Sequence, residues 1–231
     1  MTIAVLNGFE VRANGRLLRL PMTAQRLLAF LALHPGTAQR LFVAGRLWPD
    51  VREERSVANL RSALWRLRRV GPALVEAAPL GLALAPDVTV DLQVASARAH
   101  QVIRHGPGDT AADTDELLVH DVLPDWYDEW VDTERERFRQ LRLHALEALS
   151  ERLLAAGRTG EAVEIALAAV SGEPLRESAQ RTLIKAHLVE GNPGEALRQY
   201  RSYRRLIRDE LGLEPSPRMT ELLHGLLVTP A

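Results

Sequence analysis

Four arginines, Arg61, Arg66, Arg68 and Arg69, crowd the last nine positions of the segment DVREERSVANLRSALWRLRR, which spans Asp50–Arg69. No acidic residue lies among them, so i,i+4 pairing cannot absorb their charge. A guanidinium presents a planar fork of N–H donors that fits phosphate oxygens or the O6/N7 edge of guanine. The chemistry within reach of this segment is therefore recognition of a polyanion, not bond making. Val57, Leu60, Ala63, Leu64 and Leu67 recur at i, i+3, i+4 spacing, which predicts a helix with one apolar seam. The opposite side carries Asn59, Ser62, Trp65, Arg66 and Arg69, with Arg61 and Arg68 at its margins. Arg61, Ser62, Trp65 and Arg66 are the candidates for reaching base edges. Arg40, Arg46 and Arg69 are the candidates for phosphates, where they add affinity and little sequence information. An isolated basic helix is more often a solvated surface, so the flanking chain decides between the two.

Enzyme chemistry finds little support. The seven histidines (34, 100, 105, 120, 144, 187 and 224) show no HxxxH or HExxH spacing for zinc. Gly157-Arg-Thr-Gly-Glu-Ala162 lacks the lysine that a phosphate-cradling loop needs. Asp125, Asp128, Glu129, Asp132, Glu134 and Glu136 resemble a calcium loop in composition only. Their setting is helical and without a central glycine, which predicts a solvated helix start instead. Asp113 and Asp115 fall in a loop and carry no argument. No enzyme activity, cofactor or metal is expected.

The 231 residues suffice for two modest domains or one large one, and 46% hydrophobic with 26% charged residues is an ordinary globular composition. No apolar run approaches the roughly 18 residues of a spanning helix, and the N-terminus lacks a signal pattern. There is no cysteine, and a cytoplasmic, nucleoid-associated location with no membrane partner is expected. The net charge of −1 hides an asymmetry: residues 1–90 hold 12 Arg/Lys against 6 Asp/Glu, and the remainder holds 17 against 24. A front half at +6 and a rear half at −7 suggest a nucleic-acid-facing domain followed by one that meets proteins.

In chain order, Ile3/Val5, Phe9/Val11 and Leu18/Leu20 alternate as short strands, with Asn14-Gly15 as a type I′ hairpin signal. Pro21 ends this sheet. Thr23 is expected to cap a helix running to about His34, which Pro35-Gly36 stops. A short helix follows near Phe42–Leu47. Asp50 with Glu53 fits a capping box for the arginine-rich helix, and Ser56 is a competing start. That helix is expected to end before Gly71-Pro72. Leu74–Leu84, with Pro79-Leu80-Gly81 at its middle, reads as a hairpin, and Val88/Val90 as a further strand. Strands, three helices and a hairpin make a winged helix-turn-helix with a leading antiparallel sheet, in which Gly81 sits at the wing tip.

From Asp91 the pattern turns helical: Asp91–His105, a loop from Gly106 to Asp115, then a long helical region from Asp125 to about Ala156 with Trp126 and Trp130 stacked at its start. GRTGEA at 157–162 recurs as GNPGEA at 191–196, a shift of 34 residues, and Leu149/Leu183 and Leu154/Leu188 match at the same shift. That is the tetratricopeptide period, and Ala162, Ala166, Ala169 and Pro174 follow its small-residue and proline spacing. The chain closes with DELGLEPSP, Gly212 as a helix C-cap, and a final helix Arg218–Leu227.

These features together resemble the SARP family of antibiotic regulatory activators: a leading winged helix with LxxLWRLRR closing its third helix, VDL at 90–92, and tetratricopeptide-like helices ending in ELGLEPSP. The front resembles the effector domains of the OmpR/PhoB type and the rear a bacterial transcriptional activator domain. The resemblance implies a mainly α fold with small antiparallel β elements, an N-terminal winged helix at 1–90 and an all-α tetratricopeptide-like domain at 91–231. It implies a sequence-specific activator that binds double-stranded DNA at direct repeats near a −35 element, pairs as a homodimer, and contacts RNA polymerase through its sigma or alpha subunit. Larger members add a sensor domain; with the chain ending at Ala231, none is expected here. Trp65 departs from the family, where a small polar residue is commoner; it either touches a thymine methyl or sugar or folds back onto the wing. The alternative is a protein-interaction adaptor whose winged helix no longer binds DNA.

Overall fold

The computed structural model describes residues 1–70, 73–79, 81–104 and 120–224. The stop expected at Gly71-Pro72, Leu80 within the hairpin, His105, the 106–115 loop and the last residues of the C-terminal helix lie outside the described residues. The chain forms two compact units: residues 1–96 with 120–138, and residues 97–119 with 139–231. Both are discontinuous in sequence, where the sequence reading has a single boundary after residue 90.

The first unit begins with β1 (Thr2–Ala4), β2 (Glu10–Ala13) and β3 (Arg16–Leu17), followed by α1 (Met22–Leu33), β4 (Ala38–Gln39), α2 (Arg40–Leu47) and α3 (Glu53–Val70). It continues through β5 (Val75–Ala77), β6 (Gly81–Leu84) and β7 (Thr89–Val90) into α4 (Asp91–Arg104). The mainly α fold with small β elements expected from the pattern is the fold observed. Asn14 and Gly15 take φ of 49° and 77°, the positive pair that a type I′ turn between β2 and β3 requires. The leading sheet has the order β3-β2-β1-β7 and is not wholly antiparallel, since β7 joins β1 in parallel register, Ile3 opposite Val90. The wing is a second sheet, β4-β6-β5, in which β4 is a strand that two residues' worth of pattern could not announce.

Asp91 links the end of β7 to the start of β1's exit. Its carboxylate accepts the backbone N–H of Val5 at 2.9 and 3.1 Å, of Leu6 at 3.0 Å and of Leu92 at 2.7 Å. Burial is the larger influence on the carboxyl and raises it above the ordinary aspartate value; the N–H groups of Val5, Leu6 and Leu92 act in the opposite direction. The VDL motif thus has a structural reason: Val90 pairs and is buried, Asp91 satisfies a strand end, and Leu92 packs at 7% exposure.

Residues 120–138 complete this unit. Asn7 N–H donates to Asp121 O at 2.9 Å and Leu123 N–H to Val5 O at 2.8 Å, extending the pairing beyond β1. Phe9 and Trp126 lie with ring centroids 5.6 Å apart, and Phe30 meets Trp130 edge-on at 5.3 Å. The long helix α5 (Glu129–Ala155) starts four residues after Asp125, because 121–128 is occupied by this crossing, with Leu123 at φ 44°. Trp126 and Trp130 meet edge-to-face at 6.3 Å. The acidic residues are engaged, not merely solvated: Asp128 pairs with Arg26, Asp132 with Arg135 at 2.6 Å and Glu134 with Arg137 at 3.7 Å. Arg135 also donates to the carbonyls of Val122, Leu123 and Trp126 at 2.9, 2.6 and 2.9 Å, fastening the crossing to the helix.

The second unit contains the remainder of α4 and α5, then α6 (Thr159–Gly172), α7 (Glu177–Glu190), α8 (Pro193–Leu211) and α9 (Pro217–Leu222). The 34-residue repeat is repeated geometry. Gly157 N–H donates to Leu154 O and Arg158 N–H to Leu153 O; 34 residues on, Gly191 N–H donates to Leu188 O and Asn192 N–H to His187 O. Both glycines are left-handed, φ 75° and 87°, which closes each helix without a Cβ penalty. Ala162, Ala166 and Ala169 are fully buried, Ala162 and Ala169 in the core with Leu143, Leu146 and Leu149. Gly212 caps α8 at φ 66° as expected. The ELGLEPSP tail is held by two clamps. Glu214 accepts Arg204 Nε at 2.8 Å and Arg208 Nε at 2.9 Å, while Ser216 donates its N–H to Glu177 at 2.8 Å and its hydroxyl to the same carboxylate.

Tyr203, 1% exposed, is among the largest fully buried side chains, and its hydroxyl has no hydrogen-bond partner among the described residues. Burial, reinforced by the Glu177 carboxylate, pushes its phenol up to about 12 from about 10. An acid whose pKa is raised by folding stabilises the fold below its unfolded value and loses that stabilisation as pH rises toward the folded one. Between pH 10 and 12 the chain is thus expected to lose about 2 kcal/mol that Tyr203→Phe retains. At neutral pH the variant should be as stable as the parent or slightly more so, since a buried unpaired hydroxyl is removed. Denaturant unfolding followed by helical circular dichroism at pH 8 and 11 checks both; parallel pH dependence in the two proteins would refute the assignment.

Candidate nucleic-acid interface

α3 is built as its seam requires: Leu60, Ala63, Leu64 and Leu67 are 2, 0, 8 and 5% exposed, and Val57 is half-buried. Its start corrects the capping expectation. The helix begins at Glu53, so Asp50 is too far upstream to cap it, and Ser56 lies inside with its hydroxyl bonded back to Glu53 O at 2.9 Å. Thr23 is likewise not a cap. It is the second residue of α1, whose N-cap is Pro21 with no side-chain bond. The helix α2 starts at Arg40, two residues before the expected Phe42.

The outward face of α3 is continuous. Arg61, Ser62, Trp65, Arg66, Arg68 and Arg69 are all exposed. The Trp65 ring is 57% exposed and carries the Arg69 guanidinium 4.7 Å above its centroid, so the indole braces a cation in solvent instead of folding back onto the wing. Arg66 Nη1 donates to Thr23 Oγ1 at 3.2 Å, which leans it toward the start of α1. Ser62 turns its hydroxyl back to Ala58 O at 3.0 Å, leaving its lone pairs, not its proton, for a ligand. Arg55 and Asn59 were missed as candidates. Arg55, Asn59, Ser62 and Arg66 fall at i, i+4, i+7 and i+11 along one flank, with Arg55 exposed and Asn59 half-buried. The signal was in the spacing, hidden because Arg55 precedes the apolar seam.

The phosphate candidates lie on separate elements. Arg40 opens α2 and its Nε donates to Ala78 O at 3.2 Å, tying that helix to the wing turn. Arg46 lies in the last turn of α2 with its guanidinium 5.7 Å from the Phe42 ring centroid. Arg69 lies in the last turn of α3.

Gly81 is corrected. It is not at the wing tip but the first residue of β6, buried, paired with Gln39 of β4. A Cβ there would come within 2.2 Å of the Thr37 methyl, so the close approach that glycine permits is to the protein itself. Gly81→Ala is expected to destabilise the first unit by about 1–2 kcal/mol through this overlap. Thr37→Ala should recover most of that in the double variant; additive effects in a thermal-unfolding cycle would exclude the contact as the cause.

A family model described as the bacterial transcriptional activator domain matches residues 107–227. The chain belongs to that family. Two regulatory proteins named AfsR extend the relationship toward the N-terminus. The one from Streptomyces griseus is 29% identical over 240 residues, covering 95% of this chain and 23% of its own length. The one from Streptomyces coelicolor is 30% identical over 241 residues, covering 98% and 24%. The chain thus spans about a quarter of these relatives. The structure of Mycobacterium tuberculosis EmbR in complex with a low affinity phosphopeptide superposes with a TM-score of 0.78 at 22% identity, over 100% of this chain and 66% of that one. At that identity the likeness speaks to fold alone. The SARP-type relationship read from the sequence stands, and this bacterial transcriptional activator domain follows a winged helix.

Proposed function

We propose that the chain is a sequence-specific DNA-binding transcription activator, with α3 entering the major groove and the β4-β6-β5 wing beside the adjacent backbone. The observation that carries this reading is the exposed face of α3, on which Arg61, Ser62, Trp65, Arg66 and Arg69 stand free of the hydrophobic seam behind them. A helix offered in this way, with its arginines on the exposed side, has the form required of a recognition helix. In this proposal Arg61 and Arg66, with Arg55 exposed on the same flank, read base edges, and Arg40, Arg46 and Arg69 hold phosphates.

The domain roles follow as part of the proposal. Residues 1–90, completed by 120–138, read DNA, and the tetratricopeptide-like helices serve as the protein-contacting part, toward a second copy and toward the sigma or alpha subunit of RNA polymerase. A single winged helix reads too few base pairs for genomic specificity, and a partner bound one helical turn away, about 34–36 Å, multiplies it.

The test is enrichment of the full chain's preferred duplexes from a random pool, followed by titration against the winning and scrambled sequences across a salt series. A recurrent motif, with log affinity falling linearly as log salt rises, is the expected result. Equal and weak binding to both duplexes, or no retention on heparin at low salt, would leave the chain an adaptor without DNA recognition.

A further inference from the structure

We propose that α8 of the second unit carries an additional phosphate-binding row, formed by Arg198, Arg201, Arg205 and Arg208, that engages the backbone of duplex DNA. The inference rests on the DNA-binding reading above. These four arginines recur at i, i+3, i+7 and i+10, which places them on one side of α8. That side is the outer one. Ala196, Tyr200, Tyr203 and Ile207 are buried on the other, against Ile184 and Met219.

Two members of the row, Arg201 and Arg205, stand apart from the cations of this unit that are absorbed by carboxylates. Arg139 pairs with Glu173, Arg158 with Glu161, Arg176 with Glu147 at 2.7 Å, Arg181 with Glu177 at 3.6 Å and Lys185 with Glu151 at 3.2 Å. Arg201 and Arg205 are exposed and have no acidic partner among the described residues. They are also four apart on one helix, where like charges repel and destabilise an isolated helix by a few tenths of a kcal/mol. Arg198 is 77% exposed and bound only to Glu195 one turn back, at 3.1 Å. Arg208 reaches Glu214, which it shares with Arg204.

The ten-residue span of the row corresponds to about 15 Å along the helix axis. A straight line of exposed guanidiniums of that length suits a polyanion whose charge repeats uniformly, and a duplex backbone supplies that repeat. A contact of this kind acts within about a Debye length, roughly 10 Å at 0.1 M salt. It adds affinity without base preference.

The experiment uses the full chain and a random-sequence duplex of about three and a half helical turns, titrated across a salt series. For Arg201→Ala/Arg205→Ala, the slope of log affinity against log salt should flatten by about 2, at roughly 0.9 per phosphate contact. Arg201→Lys/Arg205→Lys should keep the parental slope. Both side chains are exposed, and circular dichroism verifies that the variants are folded. An unchanged slope, with the duplex still bound, overturns the role of α8 alone and leaves the row to an acidic protein partner. Failure of the parent to bind the duplex overturns the DNA reading, and this inference with it.

Discussion

Arg61→Ala and Arg66→Ala are each expected to narrow the gap between the preferred and a scrambled duplex by roughly 1–3 kcal/mol, a factor of roughly 5 to 160. The reason is geometric. A bidentate fork on guanine O6/N7 distinguishes that base from the others, and alanine removes the distinction while leaving the phosphate contacts in place. Arg66 starts from a 3.2 Å bond to Thr23 on α1, which presets its direction at little entropic cost. Thr23→Val should therefore weaken discrimination in the same sense as Arg66→Ala, but less.

Arg69→Ala is expected to behave differently. It should weaken all duplexes alike and flatten the salt dependence by about one unit. Because its guanidinium rests on the Trp65 ring, Trp65→Ala should reproduce part of that uniform loss. Fluorescence anisotropy against matched and scrambled duplexes over a salt series separates the two classes. If Arg66→Ala lowers affinity equally for both sequences, it leaves the base-reading set and joins Arg69.

The second large effect is on folding. Asp91→Ala is expected to destabilise the first unit by about 3 kcal/mol, since the N–H groups of Val5 and Leu6 lose their acceptor inside the structure. Against a typical total of about 5–15 kcal/mol, that is a large share. Val5 is fully buried and Leu6 is 7% exposed, so water offers little replacement. Asp91→Asn, which keeps one acceptor oxygen, should cost less. All four tryptophans, at 48, 65, 126 and 130, lie in this unit, so tryptophan fluorescence during denaturant unfolding reports it selectively. A midpoint for Asp91→Ala equal to the parent's would show that these N–H groups find other partners.

Local regularities were legible in the sequence. The Asn14-Gly15 turn demands positive φ twice, and the 3.6-residue seam of α3 demands a buried side; the structure contains both. These are decided within a few residues by sterics and periodicity, and no long-range contact is needed to read them. The face of α3 that meets solvent followed from the same logic, as the complement of its seam.

What tertiary structure alone decided lies between residues distant in sequence. The return of 120–138 to the first unit depends on hydrogen bonds from Asn7 to Asp121 and from Leu123 to Val5 across more than a hundred positions. The β4 strand pairs with β6 where Gly81 lets Thr37 come close, and a two-residue strand has no pattern of its own. Thr23 has the composition of a cap but is spent on Arg66, because the partner of a short polar side chain is chosen by what packs nearby. Periodicity states which face of an element is apolar; only packing determines which surface that face meets, and so which polar side chains are left for a ligand.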